Sequence, residues 1–90
     1  MIKGTIANGF RYAVDPQNLD NIEFLEAMAE AETNPVALVK MCNLLLGEEQ
    51  KKKLYSYLTK KDGKASTTAV TQSIGEILQD MANKNSMAKK

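Results

Sequence analysis

The stretch NPVALVKMCNLLLGEEQ, residues 34–50, decides how the rest of the chain is read. Asn34 is a helix-capping residue, and Pro35 fits the first helical position, where its missing N–H costs nothing. From Val36 to Leu46 apolar side chains cover much of the circumference, which predicts a central, most buried helix over 35–46. Gly47 then suits a left-handed residue closing that helix, and Glu48-Glu49-Gln50 gives the acidic opening of another. Cys42 lies inside the apolar run with no neighbour in sequence that would activate it, so it reads as a packed thiol.

Downstream, Lys51-Lys52-Lys53 and the apolar set Leu54, Tyr55, Tyr57 and Leu58 continue a helix over 48–61. Glu48 with Lys52 and Glu49 with Lys53 stand four apart in the favourable order, and Lys60-Lys61 sit where the helix dipole favours cations. Asp62-Gly63 makes a turn. Ser66 or Thr67 can cap a last helix over 67–82, whose Val70, Ile74, Ile77, Leu78 and Met81 form the clearest helical stripe in the chain. Gly75 interrupts that stripe, which predicts a close helix contact there. Residues 83–90 lack periodicity and are expected to form a flexible C-terminal tail.

Upstream, a helix is expected over 20–33. Asp20 and Glu23 form a capping-box pair, Leu19 and Phe24 a hydrophobic staple, and Ile22, Leu25, Met28 and Ala29 the inward stripe. Glu23, Glu26 and Glu30 mark an acidic outer face. Before it, Ile2, Gly4 and Ile6 alternate with polar residues, as do Phe10, Tyr12 and Val14, about an Asn8-Gly9 pair suited to a two-residue type I′ turn. These elements together predict a mainly α fold, a small four-helix domain over 1–82 with an N-terminal β-hairpin over 2–14.

A chain of 90 residues holds one core, and 43% hydrophobic with 26% charged residues is the balance of a soluble globular domain. Histidine and tryptophan are absent and Cys42 is the only cysteine, so a Cys/His metal site and a His-dependent nucleophile are excluded. Carboxylate-only catalysis stays formally open, but no motif calls for it, and the reading is non-enzymatic with no cofactor. The first residues lack the apolar run of a signal peptide, no segment nears the ~18 apolar residues of a membrane span, and a single cysteine fits a reducing compartment. A cytoplasmic protein with no membrane partner is expected.

The net charge of +1 conceals two opposed halves. Residues 1–50 carry three basic and eight acidic side chains, a balance of −5, whereas residues 51–90 carry nine lysines against Asp62, Glu76 and Asp80, a balance of +6. Such a chain can satisfy its charges by folding on itself, by pairing with copies of itself as a homo-oligomer, or by meeting a charged partner. The candidate protein-binding residues are accordingly Glu23, Glu26 and Glu30 on the first helix and Lys51, Lys52 and Lys53 on the third.

Taken in order, the hairpin, Asp20-Asn21-Ile22-Glu23-Phe24-Leu25-Glu26, Asn34-Pro35-Val36-Ala37-Leu38, Leu44-Leu45-Leu46-Gly47-Glu48-Glu49-Gln50, the Asp62-Gly63 turn and the final amphipathic helix suggest a family. Over residues 6–82 the chain resembles small tail assembly chaperones of siphophages and prophages of Gram-positive bacteria. Ala65-Ser66-Thr67 departs from that pattern, since a proline-containing start to the last helix is usual there. The resemblance implies a non-enzymatic helical protein that binds the tail tape measure protein, keeps it soluble and helps the tail tube protein polymerise around it. It further implies action in the host cytoplasm and absence from the mature virion. Members are commonly made also as a longer frameshifted form, for which Ala88-Lys89-Lys90 would supply an adenine-rich slippery run. Two alternatives remain: a head–tail connector or other phage morphogenetic protein, which would stay in purified virions, and a small nucleic-acid-binding regulator using the third helix's lysines. Against the second stand a single arginine and the acids beside the lysines, so no nucleic-acid partner is expected.

Overall fold

The computed structural model describes the backbone of residues 1–89 and the side chains of residues 1–84. The chain is mainly helical, with a two-stranded antiparallel hairpin at its N-terminus. Strands β1 (Ile2–Thr5) and β2 (Arg11–Val14) pair with Ile2 opposite Val14 and Gly4 opposite Tyr12. Their even-numbered side chains face inward: Phe10, Tyr12 and Val14 are buried, while Lys3, Thr5 and Arg11 on the other face are exposed.

The hairpin turn differs from the predicted type I′ geometry. Ile6 and Phe10 still pair, through Ile6 N–H to the Phe10 carbonyl at 3.0 Å, so the loop has three residues. Only Gly9 takes a positive φ (97°), whereas a type I′ turn needs Asn8 to do so as well. Asn8 is held otherwise, its Oδ1 accepting from Phe10 N–H at 3.0 Å and its Nδ2 donating to Ser73 Oγ at 3.1 Å.

A 3₁₀ turn over Pro16–Leu19, which the sequence reading did not foresee, follows Asp15, whose carboxylate accepts from Gln17 N–H. It displaces the expected cap of the first helix. Helix α1 (Ile22–Ala31) starts one residue later on Asn21, which accepts from Glu23 N–H at 2.9 Å, and the Asp20–Glu23 capping box does not form.

The expected four helices resolve into three. Helix α2 (Pro35–Asp62) joins the predicted second and third, and α3 (Thr67–Lys89) is the last. The join is not smooth, because Gly47 (φ 82°, ψ 164°) is non-helical and kinks α2. Its ψ also excludes the predicted left-handed cap; this region of backbone space is essentially confined to glycine. The kink leaves carbonyls of the first half without helical partners, and Asn18 Nδ2 donates to one of them, Leu45, at 2.8 Å. Ser66 caps α3 by accepting from Ala69 N–H at 3.1 Å. Helix α3 passes the predicted end at residue 82 and extends into the expected tail over 83–90, of which Lys90 lies outside the described residues. No glycine or proline follows Gly75 to stop it, and Lys84 pairs with Asp80 at 3.1 Å across one helical turn.

One core gathers the hairpin's inner face with Phe24 of α1, Leu38, Cys42, Leu45, Leu54 and Leu58 of α2, and Val70, Ile74, Ile77 and Met81 of α3. The α3 stripe is buried from Val70 to Met81 with Leu78 half-buried, whereas the α2 run is buried on one side only: Leu38, Met41, Cys42, Leu45 and Leu46 face the core, and Val36 and Val39 are exposed. Helix α1 is turned the other way from expectation. Phe24 and Ala27 are buried, Met28 is half-buried, and Ile22 (70%) and Leu25 (49%) stand exposed.

The hairpin is tied down by side chains from both long helices. The Gln50 amide receives Ala13 N–H at 2.8 Å and donates to the Ala13 carbonyl, so it caps the outer edge of β2 as a neighbouring strand would. On the β1 side, Ala7 N–H reaches Glu76 Oε1 at 3.1 Å and Lys84 Nζ donates to the Lys3 carbonyl. Tyr57 hydroxyl donates to the Asn8 carbonyl, and its ring meets Phe10 at 5.8 Å between centroids.

Candidate functional site

The arrangement of exposed apolar and charged side chains defines three surfaces. Helix α1 buries a narrow stripe, which leaves the rest of its circumference to carry two others. At 100° per residue, Ile22, Leu25 and Ala29 fall within an arc of about 60°, and Glu23, Glu26 and Glu30 fall within another of about 60°. All six are exposed, so the predicted acidic residues do form one surface, with an apolar flank beside it. In α2, Val36 (74% exposed) and Val39 (44%) add further apolar surface.

Between α1, the first half of α2 and α3 lies a groove of about 220 Å³ lined by Met28, Leu38, Met41, Ile74, Gly75 and Leu78, with Glu32 and Thr71 also along it. Gly75 was expected to mark a close helix contact. Instead it is exposed, and nothing lies within 4 Å of where its Cβ would be. Its missing side chain leaves room beside a floor of two methionines, whose flexible thioethers adapt to varied apolar shapes. The sequence signal for this groove, a glycine within an otherwise unbroken apolar stripe, was present and pointed to the wrong neighbour.

The three predicted lysines do not act together. Lys51, Lys52 and Lys53 together span about 200° of the helix, so all three cannot share a face. The Lys51 side chain is only 12% exposed and lies 4.0 Å from Glu48, and neither predicted i,i+4 pair forms. Lys52 and Lys53 are exposed and line a shallow concavity of about 450 Å³ with Glu49, Tyr57 and Lys60. Lys53 also lines the adjoining concavity of about 650 Å³ on the outer face of the hairpin, together with Lys3, Arg11 and Gln50. Five cations, Lys3, Arg11, Lys52, Lys53 and Lys60, thus form one basic tract. Alternation along the strands places Lys3 and Arg11 on the hairpin's outer face, but only the docking of the hairpin on α2 sets them beside Lys53.

None of these five, nor Glu23, Glu26 or Glu30, is ion-paired: among the described residues the salt bridges are Lys51–Glu48 and Lys84–Asp80. The titratable groups with shifted behaviour lie elsewhere and serve the fold. Burial, helped by a hydrogen bond to Asp80, pushes the Tyr12 phenol well up, and that bond together with Lys84 holds the Asp80 carboxyl below its ordinary range. Lys84 Nζ also stands 5.6 Å from the centre of the Tyr12 ring. Burial pushes the Cys42 thiol up against smaller opposing effects of Tyr55 and Lys51, as a packed rather than nucleophilic thiol requires. Among the described residues no helix is long and apolar enough to cross a membrane.

No protein-family model, curated protein or solved structure matches the chain.

Proposed function

We propose that the chain is a non-enzymatic phage tail assembly chaperone that binds the tail tape measure protein, keeps it soluble and assists polymerisation of the tail tube protein. On this reading it works in the host cytoplasm and is not retained in the mature virion. The resemblance over residues 6–82 supplies the class of partner, and the apolar groove supplies the observation that carries the proposal. A long helical partner with apolar anchors on one face needs a matching recess, and about 220 Å³ between Met28, Met41, Ile74 and Leu78 accommodates one or two such side chains. Exposed Leu25, within about 60° of Met28 around α1, extends the contact. Covering such surface on an aggregation-prone chain is what keeps that chain soluble.

Gly75 gives a clean test. Open space surrounds it, so Gly75→Arg fills the groove without straining the fold. Coexpression of the chain with a tail tape measure protein is expected to move that protein into the soluble fraction as a complex. Gly75→Arg and Leu25→Asp are expected to return it to the pellet while remaining folded by circular dichroism. A tape measure protein equally soluble with either variant, or insoluble with the wild type, would overturn the proposal.

A further inference from the structure

The acidic flank of α1 and the basic tract across the hairpin and α2 are the two largest unpaired charge clusters described, and the fold joins neither to the other. We infer that they join between molecules: Glu23, Glu26 and Glu30 of one copy dock on Lys52, Lys53 and Lys60 of the next, with Lys3 and Arg11 closing over the contact from the hairpin.

Geometry and charge both favour a second copy as the occupant. Glu23 and Glu30 are seven residues apart on α1, and Lys53 and Lys60 are seven apart on α2, so each pair spans about 10.5 Å along its helix. Two helices laid side by side therefore bring both carboxylates level with both ammonium groups. Exposed Ile22 and Leu25 flank the acids and are carried toward the apolar stems of the lysines, which cover such surface well. A nucleic acid fits less well, because the tract offers one arginine and its nearby rings are the half-buried Tyr57, hydrogen-bonded to Asn8, and the buried Tyr12, leaving no exposed platform for base stacking. The contact uses different patches on the two copies, so it is head-to-tail and propagates into a chain of molecules. The charged residues it uses lie outside the apolar groove.

The test uses the chain alone, without tape measure protein. Sedimentation velocity at low salt is expected to show an average mass that climbs with concentration and falls back toward the monomer in ~0.5 M salt, where the Debye length is only about 4 Å. The triple reversals E23K/E26K/E30K and K52E/K53E/K60E touch only exposed side chains, and each is expected to weaken self-association by about tenfold or more. Mixing the two variants is expected to restore it, because each reversed face complements the other variant's reversed face. A monomeric wild type at low salt, reversals without effect, or a mixture that stays monomeric would each overturn the inference. So would a monomer whose basic tract instead retains a DNA or RNA oligonucleotide at physiological salt.

Discussion

A methyl group added at Gly47 would strike nothing within 4 Å, and neither would one at Gly75, yet the two substitutions are expected to act in opposite directions. At Gly47 the obstacle is the backbone itself, since φ 82° with ψ 164° excludes side chains, and Gly47→Ala should lower stability by about 1–3 kcal/mol. At Gly75 the backbone is helical, so Gly75→Ala should raise stability by about 0.5–1 kcal/mol through the unfolded chain's lost freedom. Urea titration of both variants checks the pair. Leu45 and Ile77 are both fully buried, one on each long helix, and truncation of either to alanine should cost about 2–5 kcal/mol. Losses under ~1 kcal/mol at both would mean that the core is misassigned, since the lost transfer free energy persists even where the cavity closes.

At the scale of elements, a two-stranded hairpin is marginal by itself, so this one persists through what holds it to α2 and α3. Tyr12, Asp80 and Lys84 form one such clamp, and their side-chain ends crowd the position of a Cβ at Gly4, so a larger residue there would have to displace the clamp. The clamp predicts the pH dependence of stability. Asp80 is held below its ordinary range, so its contribution is complete above about pH 4 and is lost as pH falls through its lowered value. Tyr12 is held above its ordinary value of 10.0, so its contribution is complete below that pH and is lost as pH rises beyond it. Thermal melts across pH should show both arms for the wild type. Tyr12→Phe should reduce the alkaline arm, leaving the share that the buried Cys42 and Tyr55 contribute in the same direction, and Asp80→Asn should reduce the acid one.

For the whole molecule, anchoring is uneven. Helix α2 buries side chains from Ala37 to Leu58 and α3 from Val70 to Met81, whereas α1 buries only Phe24 and Ala27. Hydrogen exchange should therefore show α1 opening at lower free energy than the Met41–Leu58 and Val70–Met81 segments, which open only with global unfolding. Phe24→Ala should speed exchange throughout α1 more than in α3. If α1 were instead as slow as α3, its exposed flanks would belong to a rigid part of the core. The helix bearing the acidic flank is thus the one free to adjust when a partner docks.

Much of this was legible in the sequence, and the residues show where legibility ended. Asn34-Pro35, Ser66 and the Val70–Met81 stripe fixed helix starts and a buried face, because capping and a single apolar period are local properties. The hairpin's inward set followed from alternation for the same reason. Helix α1 was ambiguous: Ile22, Leu25 and Ala29 and also Phe24, Ala27 and Ala31 are apolar at i, i+3 and i+7, and only packing against α2 chose the second set. The 3₁₀ turn over Pro16–Leu19 has local signals of its own in the Asp15 cap and Pro16, and it ends on Asp20, which leaves Asn21 to cap α1. The acidic flank was readable because one helix carries it. The basic tract and the groove were not, since each is assembled from elements far apart in the chain, and only the tertiary fold decides which of their faces meet.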